Sequence, residues 1–246
     1  MIHLSVNVNK VATLRNSRGG EIPCVLDAVR VCLSSGVSGI TVHPRADQRH
    51  ITPTDVREIS RDLAYHPEVE FNIEGDPRPD LLALVHEVRP SQCTLVPVLP
   101  GEITSQAGWP ADTPINELGR VIARLRADGV RVSVFVDAEL ESARWASRLG
   151  ADRIEIYTEP FAKAFERGTQ TEIRARFDAC VATAELAHSL GLGVNAGHDL
   201  NLDNLILFRT LPYLDEVSIG HALMSHALFV GLERAVRDYL AVLVKP

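Results

Sequence analysis

"RADGVRVSVFV", residues 126–136, decides the fold, because a helix running up to Gly129 stops there and a strand-like run starts at Val130. Glycine favours the position just past a helix end, where the chain turns away from the helical path. The same order of helix, glycine and strand recurs in "SRLGADRIEIY" at 147–157 and "HSLGLGVNAG" at 188–197. Repetition of that order is the mark of the βα unit.

Working outward, strand-like runs lie at Ile2 to Val8, Gly39 to His43, Val69 to Glu74, Cys93 to Val98, Val130 to Asp137, Asp152 to Tyr157, Leu192 to Gly197 and Asp215 to Gly220. Between them the apolar residues follow the helical period, as with Leu118, Val121, Ile122 and Leu125, or Phe177, Val181, Ala184 and Ala187. Pro23, Pro79 and Pro114 fall near helix starts, while Gly129, Gly150 and Gly191 follow helix ends. Eight strands in 246 residues leave about 31 residues per unit, the size of a βαβ element. The expected fold is α/β, a TIM (β/α)8 barrel with additional helices, spanning 1–246 as one domain. A doubly wound sheet is the alternative if one strand is miscounted. Pro97 to Thr113 reads as a loop over the site, and Thr158 to Thr171 as the place for an extra helix. The segment "NKVATLRNSRGG" after the first strand reads as a flexible basic loop without a helix.

Composition narrows the function. A net charge of −7 and a pI near 5.7 supply no positive field for nucleic acid or an anionic membrane. The start "MIHLSVNVNK" lacks the pattern of a signal peptide, and no apolar run approaches the roughly 20 residues of a membrane helix, so a cytoplasmic location is expected. Cys24, Cys32, Cys93 and Cys180 are scattered in apolar stretches and read as buried thiols.

In a barrel, function gathers where strands end and loops begin. Those places hold Asn7, His43 with Arg45, Glu74, Asp137, Glu155, Asn195 with His198, and Gly220 with His221; Thr104 lies on a loop. "VHPRADQRHI" places His43, Arg45, Arg49 and His50 within eight residues, a spacing unlike compact zinc motifs. Guanidinium holds phosphate, and imidazole titrates near neutrality, so the cluster suits an anionic substrate and a proton carrier. The plainer reading pairs it with Asp47 and Asp55. Glu155 sits between Ile154 and Ile156 and therefore faces inward if they pack outward; a buried carboxylate there demands a partner. "NAGHDL" and "SIGHAL" offer glycine and a following helix N-terminus to a phosphate. Arg15 and Arg18 are candidates for a second anion, and Lys10 is either a Schiff-base amine or a solvated lysine. No Walker A or dinucleotide fingerprint occurs.

"NVNKVATLRNSRG", "GITVHPRADQRHI", "FNIEG", "EITSQAG", "VSVFVDAE", "IEIYT", "VNAGHDL" and "SIGHALMSHAL" together resemble the pyridoxine 5'-phosphate synthase family of the deoxyxylulose-dependent vitamin B6 pathway. The resemblance spans nearly the whole chain. It implies condensation of 3-amino-2-oxopropyl phosphate with 1-deoxy-D-xylulose 5-phosphate to pyridoxine 5'-phosphate, inorganic phosphate and water. It further implies no cofactor, two small phosphorylated substrates and a homo-oligomer, an octamer. His43, Glu74 and His198 match the family's proton-transfer residues, and Glu155 a further acidic one. Asn7, Arg18, Arg45, His50, Thr104, Asp199, Gly220 and His221 match its substrate-binding positions. The chain departs from the common pattern at Asn9 and Lys10, where many members carry aspartate and histidine, at Asp199 in place of glycine, and at Tyr157 in place of histidine. Rival expectations are a phosphosugar epimerase, isomerase or aldolase, and a silent phosphometabolite-binding barrel.

Overall fold

The computed structural model describes residues 1–98 and 105–244. All eight expected strands form: β1 (His3–Asn7), β2 (Gly39–Val42), β3 (Glu70–Gly75), β4 (Gln92–Leu95), β5 (Arg131–Val136), β6 (Arg153–Tyr157), β7 (Gly193–Gly197) and β8 (Leu214–Ile219). Each pairs in parallel with the next, and β8 pairs with β1, so the sheet closes into a barrel. The doubly wound alternative is thereby excluded.

The helices are α1 (Asn9–Asn16), α2 (Val25–Ser34), α3 (Pro53–Leu63), α4 (Pro79–Val88), α5 (Ile115–Ala127) and α6 (Leu140–Leu149), followed by α7 (Glu159–Arg167), α8 (Gln170–Ser189), α9 (Leu202–Phe208), α10 (His221–Val230) and α11 (Leu232–Leu243). A plain barrel needs one helix after each strand; α1, α7 and α10 are extra, and each follows a strand end directly, after β1, β6 and β8. Helix α7 fills the segment expected to hold an extra helix. Helix α1 overturns the expectation of a loop after β1. Val11, Ala12, Leu14 and Arg15 are adequate helix formers, and Ala12 is fully buried, so packing completes what weak local propensity leaves open. Gly129, Gly150 and Gly191 all sit at positive φ, between 79° and 82°, as the helix-stop reading requires. No helix among the described residues is long and apolar enough to cross a membrane.

The strands bury two different faces. Leu4, Val6, Ile40, Ile73, Val134 and Ile154 are fully buried and pack outward with the helices in one continuous apolar cluster. The opposite residues point to the barrel axis, and they are mostly polar: Ser5, Thr41, Asn72, Gln92, Thr94, Ser133, Asn195 and Glu216 are all at most 2% exposed. Barrel axes are usually filled by branched aliphatic residues. Here hydrogen bonds replace them at most positions, because a buried polar group without a partner is costly, and Ser133 Oγ is the exception in this set, with no partner among the described residues. Ser5 and Thr41 hydroxyls lie 2.7 Å apart, and Thr94 donates to Asn72 at 3.0 Å. At the N-terminal end, Arg131 bonds Gln92 at 3.0 Å and pairs with Glu70, Arg153 donates to Asn195 at 2.9 Å, and Asn195 donates to Glu216 at 3.1 Å.

Candidate active site

The C-terminal ends of the strands open into a cavity of about 470 Å³. Asn7 from β1, His43 and Arg45 past β2, Glu74 from β3 and Glu155 from β6 line it. So do His50, the loop pair His198 and Asp199, and Gly220 with His221 at the start of α10. These are ten of the twelve residues matched to the family's proton-transfer and substrate-binding positions. Arg18 lies exposed beyond α1 and is not part of the lining. Thr104, and part of the Pro97 to Thr113 loop, lie outside the described residues. Ser105, just beyond, does line the cavity.

The β1 and β2 wall is basic. Lys10, Arg45, Arg49 and His50 all contribute. Arg49 is tied to Asp47 at 2.7 Å, so the plainer reading of the arginine cluster holds for that residue. Asn9 accepts the His43 backbone N–H at 2.9 Å, while its own N–H donates to the Asn7 side chain at 3.0 Å. An amide oxygen fills this acceptor role as a carboxylate would, so the first departure from the family pattern preserves the joint between β1 and β2. Arg15 does not reach the cavity as expected. Its guanidinium forks onto Asp55, with one arm at 2.9 Å, and Asn16 holds the His50 carbonyl at 2.9 Å, so α1 clamps the loop that carries His50.

Both histidines on this wall depart from the expected titration near neutrality. Burial first, then the charges of His50, Arg45 and Arg78, pull His43 down to about 3. Burial first, then Arg45 and Lys10, pull His50 down to about 4. Both rings are therefore neutral at pH 7. His50 Nδ1 accepts the Ile51 N–H at 3.0 Å, which places its proton on Nε2. His43 Nε2 is buried and has no hydrogen-bond partner among the described residues.

The carboxylates move the other way. Glu74 opens onto the cavity at the strand mouth, where Asn7 Nδ2 lies 3.4 Å from Oε2. Burial and the neighbouring charge of Glu216, opposed by the Ser218 hydroxyl, push it up to about 8. Glu155 is 4% exposed; burial, then Glu74 and Glu216, raise it well above the usual range. The partner that its burial demands is its own proton, since like charges this close disfavour joint ionisation. Gly197 makes room for it: a Cβ there would overlap the Glu155 carboxyl. Gly220 similarly leaves space for Asn7, whose Cβ would lie 3.1 Å from an added Cβ.

At the β6 and β7 wall the lining turns acidic. Glu159, at the first position of α7, was not legible as a site residue, since an acid there is also what an ordinary helix N-terminus favours. Its carboxylate accepts from Tyr157 Oη and pairs with Lys163 at 2.8 Å. Ligating atoms of Glu159, His198 and Asp199 lie within 4.8 Å of one another. Ser218 and Phe135 were also missed; both are inward-facing strand residues that resemble ordinary filling.

Residues 4–245 match the family described as pyridoxal phosphate biosynthesis protein PdxJ. The chain is 50% identical over 240 residues to a pyridoxine 5'-phosphate synthase of Porphyromonas gingivalis, covering 97% of this chain and 98% of that one. It is 50% identical over 244 residues to the protein of that name from Christiangramia forsetii, covering 99% and 100%. Among solved structures, a 3-hexulose-6-phosphate synthase superposes with a TM-score of 0.65 at 12% identity, over 99% of this chain and 100% of that one. A phosphoribosylanthranilate isomerase of Thermotoga maritima superposes with a TM-score of 0.61 at 13% identity, over 99% and 98%. At such identities the likeness shows the barrel alone.

Proposed function

The chain belongs to the PdxJ family of pyridoxal phosphate biosynthesis proteins, and from that premise we propose how its cavity performs the family's reaction. The protein is a pyridoxine 5'-phosphate synthase: it condenses 3-amino-2-oxopropyl phosphate with 1-deoxy-D-xylulose 5-phosphate, giving pyridoxine 5'-phosphate, inorganic phosphate and water. The whole chain, 1–246, acts as one barrel domain.

The observation that carries the assignment of roles is the segregation of charge across one cavity. Arg45 and Lys10 form a positively charged wall suited to phosphate, with the neutral His50 ring adding an N–H donor at Nε2. The first turn of α10, with Gly220 and His221, offers backbone N–H groups that have no acceptor within the helix. Asp199 opposite suits the amine of the aminoketone. Asp199, held ionised by His198, belongs with the amine and not with a phosphate.

Amine addition to the ketone, loss of water, elimination of phosphate and ring closure all move protons. At neutral pH Glu74 retains a proton and serves as the acid of the first exchange, returning as base once it has given the proton up. His43 is neutral and can accept; a phosphate dianion against Arg45 would cancel part of the charge that depresses it. His198 serves the elimination, and Glu155 holds its proton beneath the reacting carbons. Arg18 and Thr104 are assigned to substrate binding by the family pattern. Leu228 and Phe229, 76% and 88% exposed at the end of α10, support assembly into a homo-oligomer, an octamer, which light scattering would weigh directly.

The test is an assay of purified protein with both substrates and a chelator, following pyridoxine 5'-phosphate and phosphate together. Equimolar release supports the reading. Folded protein that binds both substrates but releases neither product would make this a silent barrel.

A further inference from the structure

The β6 and β7 exits carry more structure around His198 than substrate binding requires. His198 and Asp199 are consecutive non-glycine residues at positive φ, 86° and 63°. Such backbone is costly for a residue with a side chain and persists only where surroundings impose it. The surroundings here are explicit. Thr158 Oγ1 donates to the Gly197 carbonyl at 2.8 Å and also to that of His198. Asn204 donates to the Asp199 carbonyl at 3.1 Å. The strained turn places Asp199 Oδ2 at 3.3 Å from His198 Nδ1. Tyr157 presses edgewise on the imidazole, with ring centres 5.1 Å apart at 75°. Its hydroxyl is in turn held by Glu159, and Lys163 holds Glu159 from the far side.

We propose that Glu159 is a positioning residue for His198: it fixes Tyr157 against the ring, and with Asp199 it sets the imidazole's orientation and tautomer. The carboxylate of Asp199 beside Nδ1 favours the tautomer that carries its proton there. The inference rests on His198 being a proton carrier. It also gives a use to two departures from the common family pattern, Tyr157 and Asp199, which with Glu159 form one connected cradle. Among the described residues, the charged and titratable groups around the ring include Asp199 on its own loop, Tyr157 on β6, Glu159 and Lys163 on α7, and His221 at the start of α10.

Three variants test it: Glu159→Gln, Tyr157→Phe and Asp199→Asn, each alone and combined with His198→Ala. If Glu159 acts through His198, Glu159→Gln lowers kcat about tenfold with KM changed less than about twofold, as expected for a misplaced acid–base group. The same change on top of His198→Ala then has no further effect, since residues acting as a unit are non-additive. An equal tenfold loss in both backgrounds would overturn the proposal, and so would a loss confined to KM. If His198→Ala itself retains full kcat, the proton-carrier reading fails. The cradle is still tested then, because nitrogen-15 shifts of the His198 ring should report one tautomer in the parent and a mixture in Glu159→Gln and Asp199→Asn. A single unchanged tautomer in both would refute the cradle whatever the kinetics. Melting temperatures of each variant identify any that lose activity by unfolding.

Discussion

Replacing Glu216 by glutamine should stabilise the protein at pH 8 and leave it nearly unchanged at pH 5. Glu216 is 2% exposed on β8, its Oε1 accepting from Asn195 at 3.1 Å, a bond that a glutamine oxygen can keep. Burial and the charge of Glu70, opposed by Arg153 and Arg131, raise it from 4.5 to about 7. Below pH 4.5 both folded and unfolded chains carry the proton. Between 4.5 and 7 only the folded chain does, so stability falls as pH rises, by about 1.4 kcal/mol for each pH unit. Above 7 both are ionised and the loss levels off at about 3 kcal/mol. Glutamine does not titrate, so the stability difference between variant and parent should grow by about 3 kcal/mol across that window, then stay flat. For a chain of this size that is about 6–12 °C in melting temperature. The assay is thermal and urea unfolding of both proteins at several pH values and one protomer concentration, because assembly also shifts stability. A difference that does not change with pH would refute the reasoning, and a loss at pH 8 would mean that Arg131 and Arg153 outweigh burial.

Three more outcomes follow from the site. Glu74→Gln should cost at least about a hundredfold in kcat, and the fall of kcat/KM above pH 8, where Glu74 loses its proton, should vanish from the residual pH profile. Arg15→Ala should lower stability by about 3 kcal/mol, by leaving Asp55 buried without its partner, while KM for both substrates stays within about twofold; a purely kinetic effect in melts and steady-state assays would return Arg15 to the substrate. Gly197→Ala should lower kcat by displacing the Glu155 carboxyl that a Cβ would overlap, with the barrel still folded by circular dichroism; full activity would show that Glu155 moves without consequence.

The strands were legible because their signal is local. Glycine stops at 129, 150 and 191 and the short apolar runs after them fix the βα order within a few residues. Glu155 could be turned inward from its two isoleucine neighbours alone. Helix α1 was not legible, for its eight residues have no side-chain cap and gain their order from Ala12 packing into a barrel that local sequence does not contain. Arg15 misled for a related reason: Asp55 is 40 residues away. The histidines looked like groups poised near neutrality because their residue type suggests it, whereas their titration is set first by burial, which only the assembled mouth supplies, and then by nearby positive charge. Glu159 was hidden by ambiguity, since its position at the start of α7 has an ordinary explanation.

The polar axis of the barrel carries a consequence for how such a protein can change. Its apolar core is a ring lying between sheet and helices, so cohesion and chemistry occupy different radii. A residue on the axis can be exchanged for another of similar size that keeps its neighbours' hydrogen bonds without loosening the ring, and where it is a buried acid the exchange can even strengthen the whole. New specificity can therefore arise one axial position at a time, with each step tolerated by a scaffold that does not depend on the centre for its integrity.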